Sequence, residues 1–340
     1  MIQTSLFDQP SRSVIDHIDT LSCGAGRQSA CVVLMACHGR IAKPDLVLMA
    51  DTGWERKKTM KYWYEVLVPA MDKAGIKHDL VYATHADGTR KNIREDTLRS
   101  VREGTRIANA PLFVDKGMQP CKHQVKGVKE ERPIGTCEMH PEGKYEKGKL
   151  NRACTGEYKL EPMTKRTRQE LGLKRGGHWT TKARKCTANA SVGIATEESK
   201  RAKGKSGLAN VTLSYPLIEL GMSTADCIAM IEELGYPVPI KSACIGCCFR
   251  SLQSWAKMKR DDPEEFADAV DFDTKLRHPF GLGRLNDGRT ETDYLDGRVP
   301  EGREKGSIYP AYLLPSCTPL AEAELPAIEE GASESFGGEC

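Results

Sequence analysis

No stretch of this 340-residue sequence approaches the roughly 18 consecutive apolar residues that a membrane-spanning helix requires, so a role within a bilayer is not expected. Met1 to Pro10 carries neither a basic n-region nor an apolar h-region, and no secretory leader is expected there. No internal repeat is present, which argues against a solenoid. With 39% hydrophobic and 29% charged residues, the composition is that of a globular chain with a modest core. Its length suits one large domain or two ordinary ones.

Cysteine is abundant and odd in number, with 13 residues. In the absence of an expected leader, a reducing cytoplasmic setting is the better assumption, and clustered cysteines there point to metal or redox chemistry rather than disulfides. Cys31, Cys37 and Cys227 stand among apolar residues and read as small core hydrophobes. The charge is uneven. Between Lys116 and Lys205 there are 22 Lys and Arg against 10 Glu, a local balance of +12 within a chain of net +3, which leaves −9 for the rest. Such a block is either a solvated basic surface or the footprint of a polyanion, nucleotide or nucleic acid.

The first hundred residues alternate between β and α patterns. A strand near Asp16–Leu21 is followed by a Gly-rich turn and an apolar helix, Ser29–Cys37. Leu46–Ala50 is a short apolar run of the kind buried in parallel sheets. Lys57–Lys73 is helical with an interruption at Pro69, and His78–Thr84 makes a third strand. This βαβαβ opening predicts an α/β fold with a doubly wound parallel sheet. From Asp115 to Asn151 the periodicity fails, and residues 116–150 read as a basic insertion in the α/β domain of 14–115 and 151–278. Helices are expected at Glu161–Leu171, Thr224–Leu234, Ser251–Lys259 and Pro263–Leu276, with a strand at Ser191–Ala195. Residues 279–340, rich in Gly, Asp, Arg and Pro, read as an extended tail.

The chemistry starts at Leu21-Ser22-Cys23-Gly24-Ala25-Gly26-Arg27-Gln28-Ser29, between strand and helix. Glycines let backbone N–H groups approach a phosphate, and Ser22 and Ser29 add hydroxyl donors. No Gly-Lys-Ser/Thr follows, which excludes a Walker A loop. The segment suits a Rossmann G-x-G-x-x-G variant, with Asp51 as its acid, or a PP-loop gripping the phosphates of ATP or an adenylyl sulfate; a plain tight turn is the bland alternative.

With Asp51-Thr52-Gly53-Trp54, the loop resembles the PAPS reductase family, whose second strand ends in Asp-Thr-Gly and an aromatic residue. Cys154-x4-Lys159-Leu160-Glu161-Pro162, the segment Gly193 to Arg201, and Tyr215-Pro216-Leu217 with Ser223 and Asp226 resemble further segments of that family in the same order. The resemblance implies a cytoplasmic PP-loop enzyme of sulfur chemistry that uses ATP or PAPS. It places the nucleotide at Ser22, Gly24, Gly26, Ser29, Asp51, Thr52 and Gly53. Asp51, Lys159 and Arg201 are its catalytic candidates, and Arg152 is a further cation for the outer phosphates. The sequence departs from the family where Gln28 stands in place of the usual aspartate, which bears on magnesium, and where Glu339-Cys340 ends the chain in place of Glu-Cys-Gly-x-His.

Cys244-Ile245-Gly246-Cys247-Cys248 is a C-x-x-C with a third cysteine. Relatives with iron–sulfur clusters imply a [4Fe–4S] cluster on Cys154, Cys244 and Cys247, with Cys248 or Cys340 as a fourth ligand; structural zinc and plain thiols are the alternatives. Cys121-x-His123 and Cys137-x-x-His140 form a candidate zinc set inside the basic insertion. Two reactions fit. ATP adenylates an acceptor oxygen, pyrophosphate leaves and sulfur from a donor displaces AMP, the acceptor being DNA or RNA held by residues 116–205; or a thiol reductant attacks the sulfur of PAPS or APS and releases sulfite. A non-catalytic nucleic-acid-binding protein with a degenerate PP-loop is the reading from another class.

Overall fold

The computed structural model describes residues 16–105, 110–119, 121–125, 128–132, 142, 144–150, 152–173, 185–208, 210–283, 285, 288–296, 298 and 309–328. Their strands are β1 His17–Ser22, β2 Leu46–Ala50, β3 His78–Val81, β4 Phe113–Gln119, β5 Cys121–Val125, β6 Val128–Arg132, β7 Lys144–Lys149, β8 Thr187–Val192, β9 Val211–Ser214 and β10 Ala311–Tyr312. The α-helices are α1 Arg27–Cys37, α2 Lys57–Tyr62, α3 Val68–Ala74, α4 Ile93–Glu103, α5 Glu161–Glu170, α6 Pro216–Glu219, α7 Thr224–Glu233, α8 Leu252–Asp261, α9 Pro263–Arg277 and α10 Glu291–Leu295. Among the described residues no helix is long and apolar enough to cross a membrane.

The chain forms two units whose segments alternate along the sequence. The first comprises Met1–Ala50, Lys61–Val81 and Pro162–Ile240; the second comprises Asp51–Met60, Tyr82–Glu161 and Lys241–Cys340.

The first unit is an α/β structure built on a five-stranded sheet in the order β3-β2-β1-β8-β9, with every neighbouring pair parallel. All five residues of β2 are buried, as a strand covered on both faces requires. Ala30 to Ala36 of α1 are also buried without a break, because the helix contacts α3, α6 and α7. The expected interruption at Pro69 does not occur. A π-helical turn, Trp63–Leu67, leads into α3, and Pro69 falls in that helix's first turn, where its missing N–H costs little. The strand expected at Ser191–Ala195 lies earlier, at β8, where it pairs with β1 along its whole length. Cys31 and Cys227 are fully buried core residues, while Cys37 is half-buried.

In the second unit, β10, β4 and β7 form an antiparallel sheet, and β5 pairs with β6 as a hairpin. The core gathers Trp54, Tyr158, Trp255, Phe272 and Tyr294 with aliphatic residues of α4, α8 and α9. Asp273 on α9 has no exposed surface. Its carboxylate accepts the backbone N–H groups of Leu313 (2.9 Å) and Leu320 (2.8 Å) and pairs with Arg277, so one buried charge ties residues 311–320 to the helix.

Candidate functional site

Two candidate sites stand in the two units. In the first, the glycine loop leaves the carboxyl end of central strand β1. Successive strands run outward to one side of β1 and return on its other side at β8, so this end of the sheet is a topological switch point, the usual crevice for ligands in open α/β sheets. The loop is held from within. Gly24 N–H donates to Ser29 Oγ (3.2 Å), which donates to Gly26 O (3.3 Å), and Ala25 N–H meets Cys23 Sγ (3.3 Å). Ala25 sits at φ +52°, a left-handed conformation that a side chain seldom adopts. Helix α1 is capped at Gly26 by no side chain and has no acidic residue of its own in its first turn, so no side chain of the helix itself occupies its N-terminal N–H groups.

The segment after β8 closes on this loop. A Cβ on Gly193 would stand 2.9 Å from both the backbone N and Cα of Ser29, so only glycine permits the approach. Gln28 donates to Glu198 Oε2 and Thr224 Oγ1, each at 2.9 Å. Arg201 bonds the same Glu198 oxygen (2.7 Å). Arg201 is therefore joined to the loop through Glu198. Its Nε and that of Arg27 are buried with no hydrogen-bond partner among the described residues, two donors that an anion would satisfy. Cys23 is buried beneath the loop, and burial pushes its thiol up to about 11. Ser223 and Asp226 form a capping box on α7, an ordinary structural role.

In the second unit, Asp51-Thr52-Gly53-Trp54 is a knot of structural contacts. Asp51 accepts Gly53 N–H (2.7 Å) and pairs with Arg90. Gly53 has φ +81°, and its carbonyl accepts from Asn92 Nδ2 (3.0 Å), whose own oxygen caps α4. Trp54 donates its indole N–H to Asp268 (2.6 Å) and leans on Phe272 at 4.6 Å between ring centroids. The peptide of Trp54 accepts Ile245 N–H (3.0 Å), and a Cβ on Gly246 would fall 2.2 Å from the indole ring. The glycine between Cys244 and Cys247 is thus set by the tryptophan that follows Asp-Thr-Gly.

That contact brings Cys244 to Thr52 and Glu55. Thr52 Oγ1 lies 3.3 Å from Cys244 Sγ and donates to Glu55 Oε1 (3.0 Å); the thiol also reaches Glu55 Oε1 at 3.5 Å. Lys159 lies in a π-helical turn, Thr155–Leu160, that starts directly after Cys154. Its ammonium is 3.7 Å from Glu55 Oε1, and Glu55 Oε2 is buried without a hydrogen-bond partner among the described residues. Glu55, first, and the thiols of Cys244, Cys154 and Cys247 hold the Lys159 ammonium well above the usual lysine range. Burial, with Glu55 adding to it, pushes the Cys244 thiol far up, so it is neutral near pH 7.

Of the expected metal ligands, Cys154, Cys244 and Cys247 come within electrostatic reach of Lys159, 90 residues of chain notwithstanding for the first two. Cys248 is turned into the core, donating to Pro111 O (3.0 Å). No group of three or more His, Cys, Asp or Glu side chains among the described residues is arranged to hold a metal ion. Cys137, His140 and Cys340 lie outside the described residues; Cys121 and His123 are placed as backbone of β5 only. Glu55 and Asn92 were not singled out by the sequence, and Glu198 stood within the Gly193–Arg201 segment without a role of its own. Glu55 follows Asp-Thr-Gly-Trp directly, and that adjacency was the available signal.

No family model and no curated protein matches this chain. Among solved structures, phosphoadenylyl-sulfate (PAPS) reductase from Candida auris, in a phosphate complex, aligns over 67% of this chain and 76% of that chain. The identity is 11% and the TM-score 0.34, a weak likeness.

Proposed function

We propose that this chain is a PP-loop enzyme of the PAPS reductase type, binding an adenine nucleotide, ATP or PAPS, at Ser22–Ser29 for sulfur chemistry. The observation that carries the reading is the loop itself: a glycine turn at the switch point, an uncapped helix start, and the orphan guanidinium donors of Arg27 and Arg201. Ser22, Gly24, Gly26 and Ser29 would cradle phosphate, and the two arginines would meet charge that develops on the departing group. Gln28 is committed to Glu198 and Thr224, so it holds the loop in place of contributing a magnesium ligand.

Asp51, Thr52, Gly53 and Lys159 belong to the same reading, with Lys159 and Glu55 controlling the proton on Cys244. Thiolates of Cys154, Cys244 and Cys247 suit an iron–sulfur cluster or zinc in their chemistry. As placed, they do not form a metal-holding set. The two reactions in view are adenylation of a nucleic-acid acceptor followed by sulfur transfer, and reductive release of sulfite from PAPS or APS. The +12 region of 116–205 favours the nucleic-acid acceptor. Replacement of Gly26 by valine tests the loop. ATP and PAPS binding, followed by calorimetry, is expected to be lost with the circular dichroism spectrum unchanged, and unchanged affinity would remove the nucleotide from this loop.

A further inference from the structure

In the second unit, β7 carries Tyr145, Lys147 and Lys149 on one exposed face, two residues apart. Beyond the strand end, Arg152 is also exposed. Lys149 and Arg152 converge on one ring, with the ammonium 5.0 Å and the guanidinium 5.3 Å from the centroid of Phe249. Lys147 stands 6.0 Å from the ring of Tyr145. The row therefore sets three cations beside two aromatic rings. Among the described residues, neither Lys149 nor Arg152 has a carboxylate within ion-pair distance. Asp115, on the paired strand, accepts the Tyr145 hydroxyl, and Lys147 donates to Ser316 O.

This row ends at a cavity of about 760 Å³ lined by Phe113, Lys149, Phe249, Leu252, Gln253 and Leu314, among others. The volume lies inside the range of about 300–1,000 Å³ usual for small-ligand sites. Its lining joins apolar and aromatic surface to the Gln253 amide and the Ser251 hydroxyl, with Lys149 and the buried Arg250 as its cations and Arg152 beside it over the Phe249 ring. A planar heterocycle carrying a phosphate matches each part: the ring for the apolar walls, its polar edge for Gln253, the phosphate for Lys149 and Arg152. Same-face residues on β7 repeat every ~6.6 Å, the scale of one step along an extended polynucleotide. A duplex keeps its bases stacked and would leave the cavity and the Tyr145 ring unused.

We propose that the Tyr145–Lys147–Lys149–Arg152 row and the Phe249 cavity bind single-stranded nucleic acid, one base entering the cavity. The inference rests on the nucleic-acid-acceptor reading above and places the strand. The test uses the full chain and fluorescence anisotropy of labelled oligothymidine and oligouridine at several salt concentrations. The double charge reversal Lys149→Glu/Arg152→Glu, on exposed side chains, is expected to weaken binding more than tenfold. It should also reduce the log–log salt slope by about 1.4, since each single-strand phosphate contact contributes ~0.7. Tyr145→Ala is expected to cost roughly five- to 150-fold, the range for loss of one base–aromatic stack.

Unchanged oligonucleotide affinity and slope in the double reversal would overturn the proposal. So would an equal loss for duplex DNA, which would mark a general basic surface, or tight AMP binding abolished by the same reversal, which would mark a free-nucleotide site. ATP binding is measured in parallel. Gly26→Val should remove ATP and spare the oligonucleotide, so failure of the loop reading and failure of the strand site show up in different variants.

Discussion

Gly246→Ala adds one methyl group to a glycine half-surrounded by Trp54, and the structure sets its cost. The new Cβ would lie 2.2 and 2.3 Å from two indole carbons, well inside contact distance. The ring has no cheap escape. Turning it away breaks the 2.6 Å bond from its N–H to Asp268 and the contact with Phe272. Lifting residues 244–248 breaks the bond from Ile245 N–H to Trp54 O. Overpacking alone costs about 1–3 kcal/mol, and losing a hydrogen bond to a carboxylate costs about 1.5–3 kcal/mol. We expect a loss of about 3–5 kcal/mol, read by urea unfolding monitored through tryptophan fluorescence. Trp54→Phe shortens the ring and should recover part of that loss in the alanine background, with a coupling of at least about 1 kcal/mol in the double-mutant cycle. A Gly246→Ala protein within about 0.5 kcal/mol of the parent, or one with no coupling to position 54, would refute the tryptophan's hold on the Cys-x-x-Cys turn.

Asp273→Ala is expected to cost about 3–5 kcal/mol, because it strands the buried Arg277 charge and two amides; limited proteolysis should then cut within residues 311–328, and protection equal to the parent's would argue against the clasp. The Cys23 thiol, raised from 9.0 to about 11 by burial, favours the fold fully below its unfolded value and loses that contribution as pH rises through 11. Stability should fall by about 2–3 kcal/mol across pH 9 to 11 on its account, and Cys23→Ala should flatten part of the slope. Cys37, Cys227, Cys244, Cys248 and Cys317, shifted the same way, keep the rest.

Much of the α/β unit was legible where local and tertiary demands coincide. Leu46–Ala50 is apolar at every position because it is buried at every position. Thr224–Glu233 announces its start through Ser223 and Asp226, which form its capping box. Helix α4 went unread because it offers only Ile93, Leu98 and Val101 to the core among charged residues, and its cap, Asn92, answers to Gly53 as well. Strands β4 and β7 hide their pattern behind lysines, since one face of β7 is exposed and pairing supplies the rest. The glycine loop was visible as a contiguous motif. The partners of Cys244 were not: Thr52 lies 192 residues away and Glu55 lies 189 away, and no spacing rule links them.

The central position of β1 has a consequence for biosynthesis. His17 emerges from the ribosome 170 residues before Thr187, its partner on β8. At about 5–20 residues per second, one edge of the first strand waits roughly 10–30 s for its neighbour while β2 and β3 are already available on the other side. During that interval the nascent sheet presents an open edge of unpaired backbone N–H and C=O groups, the kind of surface that pairs with other chains. Expression of this protein should therefore respond to translation speed and to chaperone supply more than its final stability would suggest, and synonymous codons between residues 82 and 187 become a lever on yield.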